Sequence, residues 1–209
     1  MIGGSSSSAG NIRRDIAILY EDNHLLVVSK PAGLPVQRDA SGDESLIDLA
    51  KAYIKERYKK PGNVFATAVH RIDRPASGIV IIARTSKAAS RLTREFREGR
   101  VERIYLAVVE GKPRSRSHRL EGWILKDRRR NTSRMVDEGT MGAKYACLSY
   151  RLLGSFGGYS LLEVHLKTGR SHQARVQLAD AGTPVAGDLR YGSQRGFGHL
   201  IGLHAAYVK

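Results

Sequence analysis

A single cysteine, Cys147, stands in a chain of 209 residues, so no intrachain disulfide can form and a reducing compartment is the natural home. Cys147 itself reads as a small buried apolar side chain. One thiol cannot complete a structural zinc cluster, and the seven histidines contain no His-x-x-x-His pair, so no metal is expected. No apolar run approaches the ~20 residues that a membrane-spanning helix needs. The N-terminal MIGGSSSSAG has no apolar centre of the kind a secretion signal carries. Membrane partners are therefore not expected, and the cytoplasm is. There is also no glycine-rich phosphate loop and no fixed repeat, and neither Ser77 nor Ser171 sits in a hydrolase nucleophile elbow.

Acidic residues are scarce, 20 against 35 lysines and arginines, which leaves a formal net charge of +15. Such an excess points to a polyanionic partner, nucleic acid before anionic membrane. The charge is unevenly placed: Lys112 to Arg134 holds nine basic residues against Glu121 and Asp127, a local excess of seven. The apolar Trp123-Ile-Leu125 inside this segment indicates strands with a basic face, and Arg114, Arg116, Lys126, Arg128, Arg129 and Arg130 are the candidate contacts to a nucleic-acid backbone. A hydrophobic content of 41% is ample for a core. Residues 1–14 are set apart as a disordered lead, and 15–209 as one folded domain.

Two short apolar runs, Asp15 to Tyr20 and His24 to Ser29, fit a β-hairpin, followed by a turn at Lys30-Pro-Ala-Gly33. A helix starts after Asp43 or Ser45, with Leu46, Leu49, Ala50, Tyr53 and Ile54 on one stripe. The strand Ile79 to Ala83 leads to a second helix with Ser86 as its N-cap, its apolar side formed by Ala89, Leu92 and Phe96, and Gly99 as its end. Arg103 to Val109 is apolar on both faces and so reads as a central strand. Further strands fall at Lys144 to Leu153 and Ser160 to Lys167. Ser171 is the expected N-cap of a helix through Ala181 that stops at Gly182. Strands with interspersed helices and no repeat give an α+β fold around a mixed, largely antiparallel sheet with flanking helices.

The run His70-Arg-Ile-Asp-Arg-Pro-Ala-Ser-Gly78 places Asp73 between Arg71 and Arg74, ahead of an apolar strand. Flanking guanidinium groups favour an ionised carboxylate. Taken alone, the run fits either a catalytic acid or a surface loop or helix cap with alternating charges. Tyr105 alone fits a core aromatic, and Arg175 an exposed helical arginine.

Together, Lys30-Pro-Ala-Gly-Leu-Pro-Val36, the His70–Gly78 run, Tyr105 in Arg-Ile-Tyr-Leu-Ala-Val-Val-Glu-Gly111, Thr168-Gly-Arg-Ser-His-Gln-Ala-Arg175 and Gly182-Thr-Pro-Val-Ala-Gly-Asp188 with Tyr191-Gly192 resemble, in order and spacing, the RluA-type RNA pseudouridine synthases. The resemblance runs from about Asp15 to the C-terminus. It implies that fold and a cofactor-free, metal-free enzyme that detaches a uracil from its ribose, turns it and rejoins it through carbon, in structured ribosomal or transfer RNA. It implies Asp73 as the nucleophile or base, Tyr105 and Arg175 as its catalytic partners, and Arg71 as the residue that holds the place of the flipped-out uridine. His70, Arg74, Arg170 and His172 join Arg71 as expected substrate-site residues, and the protein is expected to be a monomer. Arg175 suits the pairing with Asp73, because a guanidinium stays charged where a buried lysine could lose its proton. Ala76, Ala174 and Gln177 depart from the usual Thr, larger aliphatic and His. The chain also stops where family members continue, so it is expected to be either truncated at the C-terminus or a short member. A catalytically idle RNA-binding or chaperone relative is the alternative, against which the joint presence of Asp73, Tyr105 and Arg175 argues.

Overall fold

The computed structural model describes residues 16–39 and 41–209, so the expected N-terminal lead lies outside the described residues. The architecture is the expected α+β one. Ten strands join in one sheet: β1 (Ala17–Glu21), β2 (Leu25–Lys30), β3 (Thr67–Ala68), β4 (Ser77–Ala83), β5 (Arg103–Glu110), β6 (Ser117–Asp127), β7 (Thr132–Val136), β8 (Lys144–Phe156), β9 (Tyr159–Leu166) and β10 (Leu203–Val208). The order across the sheet is β1-β2-β4-β10-β5-β9-β8-β6-β7, and β3 also pairs with β4. Every neighbouring pair is antiparallel except β4 with β10. The helices are α1 (Leu46–Arg57), α2 (Ser86–Arg97) and α3 (Gln173–Asp180), with a short 3-10 turn at Leu189–Tyr191.

Period-two alternation builds the core. Leu26 and Val28, Val80 and Ile82, Ala107 and Val109, Leu162 and Val164 all face one side of the sheet, where Leu46, Ala50 and Ile54 of α1 and Leu178 of α3 cover them. Lys30 continues the inward register of β2 and is fully buried at its end. β5 lies between β10 and β9, as its two apolar faces indicated.

Ser45 caps α1 through a reciprocal pairing with Asp48. For α2 the N-cap is Thr85, one residue before the expected Ser86, because Thr85 is the residue in extended conformation and its hydroxyl meets the Ala88 amide at 3.2 Å. At α3 the expected Ser171 cap is absent: His172 is the N-cap, in left-handed conformation (φ 55°) and without a side-chain cap bond. The preceding turn is tied instead by Gln173, whose Oε1 accepts from the Thr168 hydroxyl (2.7 Å) and the Arg170 amide (3.0 Å). The other end of α3 closes as expected on Gly182, with Gly182 N–H on Ala179 and Thr183 N–H on Leu178.

One edge of β4 changes partner along its length. Its end, Ile82 and Ala83, pairs with β3, and its beginning, Ser77 and Gly78, pairs with β10. The loop 69–76 fills the interval between those partners, and His70 extends the ladder there by accepting the Ile81 amide on Nε2 at 3.0 Å. Gly78 (φ 120°) is where the two strands come closest: a Cβ built on it would land on the backbone carbonyl of Ala205, inside van der Waals contact. Substitution of Gly78 by Ala is expected to lower stability by about 3 kcal/mol, since the neighbour is backbone and cannot step aside. Urea denaturation measures that loss, and an unchanged midpoint would refute the close approach.

Candidate active site

A cleft of about 940 Å³ opens beside the loop 69–76, and the sequence-flagged Asp73, Tyr105 and Arg175 all line it, as do His70, Arg71 and Arg74 from the same loop and Arg170 and His172 from the turn into α3. At its centre, Arg175 donates through Nη1 to Asp73 Oδ2 at 3.0 Å, closing a sequence separation of 102 residues. The guanidinium is buried, only 5% exposed, whereas Asp73 remains 25% exposed towards the cleft. Arg175 is itself held by Asp188, with Nε on Oδ2 at 2.6 Å and Nη2 on Oδ1 at 2.8 Å. Burial alone would push this cation down; the Asp188 hydrogen bonds and the charges of Asp73 and Asp188 outweigh it and hold Arg175 firmly protonated. The Tyr191 ring lies under the same guanidinium, 4.9 Å from ring centre to Cζ.

His172 Nε2 faces the other carboxylate oxygen, Asp73 Oδ1, at 3.9 Å, and its Nδ1 meets the Tyr191 hydroxyl at 2.7 Å. Burial lowers the affinity of His172 for a second proton, with Asp73 partly opposing. Tyr105 is buried on the cleft wall, and loss of solvent pushes its hydroxyl up to about 12, with Arg103 opposing and Asp73 adding to the shift. The phenol therefore keeps its proton at neutral pH, and its ring offers a flat apolar face.

Arg71 is exposed at the cleft rim. Arg74 does not turn towards Asp73: it pairs with Asp39 and Asp43 and donates through Nε to Gly33 O at 3.0 Å. No ion pair joins Asp73 to Arg71 or Arg74 among the described residues, so the adjacency in sequence that placed Asp73 between two cations is not an adjacency of charges. His70 stacks on Phe96, with centroids 4.6 Å apart, and its one acceptor is taken by the Ile81 amide; it braces the loop rather than presenting a free edge to the cleft. Arg170 donates through Nε to Tyr145 O at 2.7 Å, which pins the turn before α3.

Of the basic segment, Lys126 lines the cleft, and Arg128, Arg129 and Arg130 form the exposed turn of the β6–β7 hairpin, where Asp127 Oδ1 accepts the Arg129 and Arg130 amides. Arg114 and Arg116 do not join them. They lie before the far end of β6, whose 11 residues at about 3.3 Å each put them ~36 Å from the turn.

Three side chains that sequence reasoning did not single out complete the site. Asp188 buries both oxygens on Arg175; its signal was its place in the Gly182–Asp188 segment. Lys30 donates to the carbonyls of Pro31 (2.9 Å), Leu34 (2.7 Å) and Arg74 (3.2 Å), which locks the Lys30-Pro-Ala-Gly33 turn onto the Asp73 loop. Burial draws Lys30 down to about 8, partly offset by Asp73. Arg103 projects into the cleft two residues before Tyr105, close under Gly169, and its buried Nε has no partner. Among the described residues, no three His, Cys, Asp or Glu side chains come together as a metal-ligating group. No helix among them is long and apolar enough to cross a membrane.

An aspartate held by a buried arginine at a break in a mixed sheet, in a cleft rimmed by arginine and lysine, defines a carboxylate site open to an anionic substrate. Residues 24–180 match the family model described as RNA pseudouridylate synthase. The chain is 32% identical over 204 residues to the ribosomal large subunit pseudouridine synthase D of Zymomonas mobilis, an alignment covering 92% of this chain and 64% of that protein. Among solved structures it is similar to human RNA pseudouridylate synthase domain containing 1, with a TM-score of 0.74 and 27% identity over 100% of this chain and 80% of that one. It shares the fold of human RNA pseudouridylate synthase domain containing 4, with a TM-score of 0.77 and 23% identity over 92% and 83% of the two chains. The chain belongs to the RluA-type RNA pseudouridine synthase family. It spans less than two thirds of the length of the Zymomonas relative.

The brace formed by His70 has a measurable consequence. Burial, with help from the Arg103 charge, lowers His70 from 6.5 to about 4. The unfolded chain then takes up a proton that the folded chain refuses, so this contribution to stability is complete above pH 6.5 and is lost as pH falls towards 4, on the order of 3 kcal/mol in all. Denaturation at a series of pH values is expected to show the loss. His70→Gln, which keeps an acceptor for Ile81 without a titrating ring, is expected to flatten that part of the curve; a slope that persists would assign it to other groups.

Proposed function

We propose that this chain is an RNA pseudouridine synthase that isomerises uridine within structured RNA, with Asp73 as its catalytic carboxylate. The observation that carries this reading is the Arg175–Asp73 contact of 3.0 Å inside a cleft walled by Tyr105. The reaction breaks the N1–C1′ bond, forms a C5–C1′ bond, removes the C5 hydrogen and returns a proton to N1. Product and substrate have the same atoms, so the balance calls for no cofactor.

A base stacked in RNA must leave the stack first, at a cost of a few kcal/mol. Phosphate contacts from the hairpin turn at Arg128–Arg130 and from Lys126 help to offset that cost, and Arg71 at the rim is placed to occupy the vacated position. The detached uracil is held against the Tyr105 ring, and the protonated phenol supplies a donor as protons move between C5 and N1. Asp73, aimed by Arg175, serves as nucleophile or base in the bond exchange. The activity of the Zymomonas relative favours ribosomal RNA as the substrate, with transfer RNA as the other candidate. The cytoplasm is the setting consistent with both.

Asp73→Asn is expected to abolish pseudouridine formation while RNA affinity stays close to that of the unchanged chain. Pseudouridine mapping in total RNA from cells with and without this chain identifies the modified site, and activity retained by Asp73→Asn would overturn the assignment. Replacing Arg128, Arg129 and Arg130 together by Ala is expected to weaken binding and to reduce the slope of log affinity against log salt by roughly 2 to 3. An unchanged slope would remove the hairpin turn from the RNA interface.

A further inference from the structure

Three groups stand in line behind the second oxygen of Asp73. The Ser133 amide of β7 donates to the Tyr191 hydroxyl oxygen at 2.9 Å. That hydroxyl lies 2.7 Å from His172 Nδ1. The opposite ring nitrogen, Nε2, faces Asp73 Oδ1 at 3.9 Å. A backbone N–H can only donate, so the phenolic oxygen is the acceptor from Ser133, and the one hydrogen on that oxygen is left to find a partner. His172 Nδ1 is the acceptor within reach. In a neutral imidazole, a lone pair on Nδ1 puts the proton on Nε2, since the hydrogen bond made by one nitrogen sets the state of the other. The far side of the ring agrees, because a carboxylate oxygen is better faced by an N–H than by a lone pair.

We propose that Tyr191 holds His172 in its Nε2–H tautomer, and that the N–H so presented, 3.9 Å from the second oxygen of Asp73, biases that carboxylate electrostatically towards the orientation required for reaction. Arg175 meets only Oδ2, and one donor on one oxygen leaves the carboxylate free to turn about its Cβ–Cγ bond. An N–H dipole facing Oδ1 at 3.9 Å, longer than a hydrogen bond, opposes that turn by electrostatic attraction. The backbone supports the same assignment: His172 is in left-handed conformation, uncommon for a residue with a Cβ, and this places its ring between Tyr191 and Asp73. His172 and Tyr191 are thus positioning residues, and the inference rests on Asp73 being the reacting carboxylate.

The test uses the full chain labelled with nitrogen-15 at histidine, observed at pH 8 without RNA. The His172 ring is expected to show an unprotonated Nδ1 and a protonated Nε2, its signals identified by their loss in His172→Gln. In Tyr191→Phe, which keeps the ring under Arg175 but removes the hydroxyl, the two tautomers are expected to mix. With RNA present, Tyr191→Phe is expected to lower the single-turnover rate about tenfold with binding unchanged, because misorientation of a reacting group costs rate rather than affinity. His172→Gln places an amide N–H near the position of Nε2 and is expected to retain more rate than His172→Asn. The left-handed backbone by itself favours Asn, so a purely structural role predicts the reverse order. An Nδ1–H tautomer in the unchanged chain, a full rate in Tyr191→Phe, or Asn outperforming Gln would each overturn the proposal. The spectrum needs no substrate: a chain with the expected tautomer that forms no pseudouridine would overturn the proposed function and leave only the tautomer assignment standing.

Discussion

A guanidinium buried to 5% exposure has to be met by charge, and the way Arg175 is met organises this molecule. Two carboxylates share it. Asp188 takes Nε and Nη2 and is itself 2% exposed, so its two contacts are structural. Asp73 takes the remaining Nη1 and stays open to the cleft. Removing one partner from a buried pair leaves the other charge uncompensated, typically at 3–5 kcal/mol, so Asp188 allows Arg175 to stay buried and aimed whatever Asp73 meets in the cleft. Asp188 in turn depends on β5: Val185 bridges Val109, and the Ala186 amide donates to Val108 O at 2.8 Å. The strand that carries Tyr105 therefore also carries the anchor of Arg175.

The loop that bears Asp73 is held from three sides. Lys30 ties it to the turn after β2, His70 ties its start to β4, and Arg74 ties it to Gly33 and the Asp39–Asp43 loop. One of these ties consumes Arg74, a cation that flanks the acid in sequence, while Arg71 stays exposed at the rim. Arg103, with an unpartnered buried Nε, keeps positive charge in the cleft that no carboxylate among the described residues neutralises. The site is thus a carboxylate in a basic surround, its loop fixed by contacts to β4 and to the turn after β2.

Much of this was legible from residue order. Alternation located the strands, Ser45 and Gly182 marked helix ends, and the joint pattern around Asp73, Tyr105 and Arg175 named a cluster that the fold does assemble. What was not legible depended on tertiary register. Arg74 stands next to Asp73 in sequence yet bonds elsewhere, because the loop places their side chains on different neighbours. Lys30 sits in a turn that any surface loop could use, and only its inward register buries it. Arg114 and Arg116 belong to the same basic run as Arg128, but one long strand separates them in space. β10 escaped recognition because Leu203-His-Ala-Ala-Tyr-Val208 is short and weakly alternating, and its neighbours in the sheet are remote in sequence.

That last strand has a consequence for how the protein is made. β4 and β5 follow one another along the chain with only α2 between them, yet they never touch in the sheet, because β10 lies between them. Without 203–208 the sheet order leaves two parts with facing open edges, one bearing the Asp73 loop and the other bearing Tyr105. Residues 203–208 are the link that puts the Asp73 loop and the Tyr105 wall in one continuous sheet, although all the other strands precede them in sequence. Until that link is made, the open strand edges of both parts are templates for pairing with other chains and targets for chaperones.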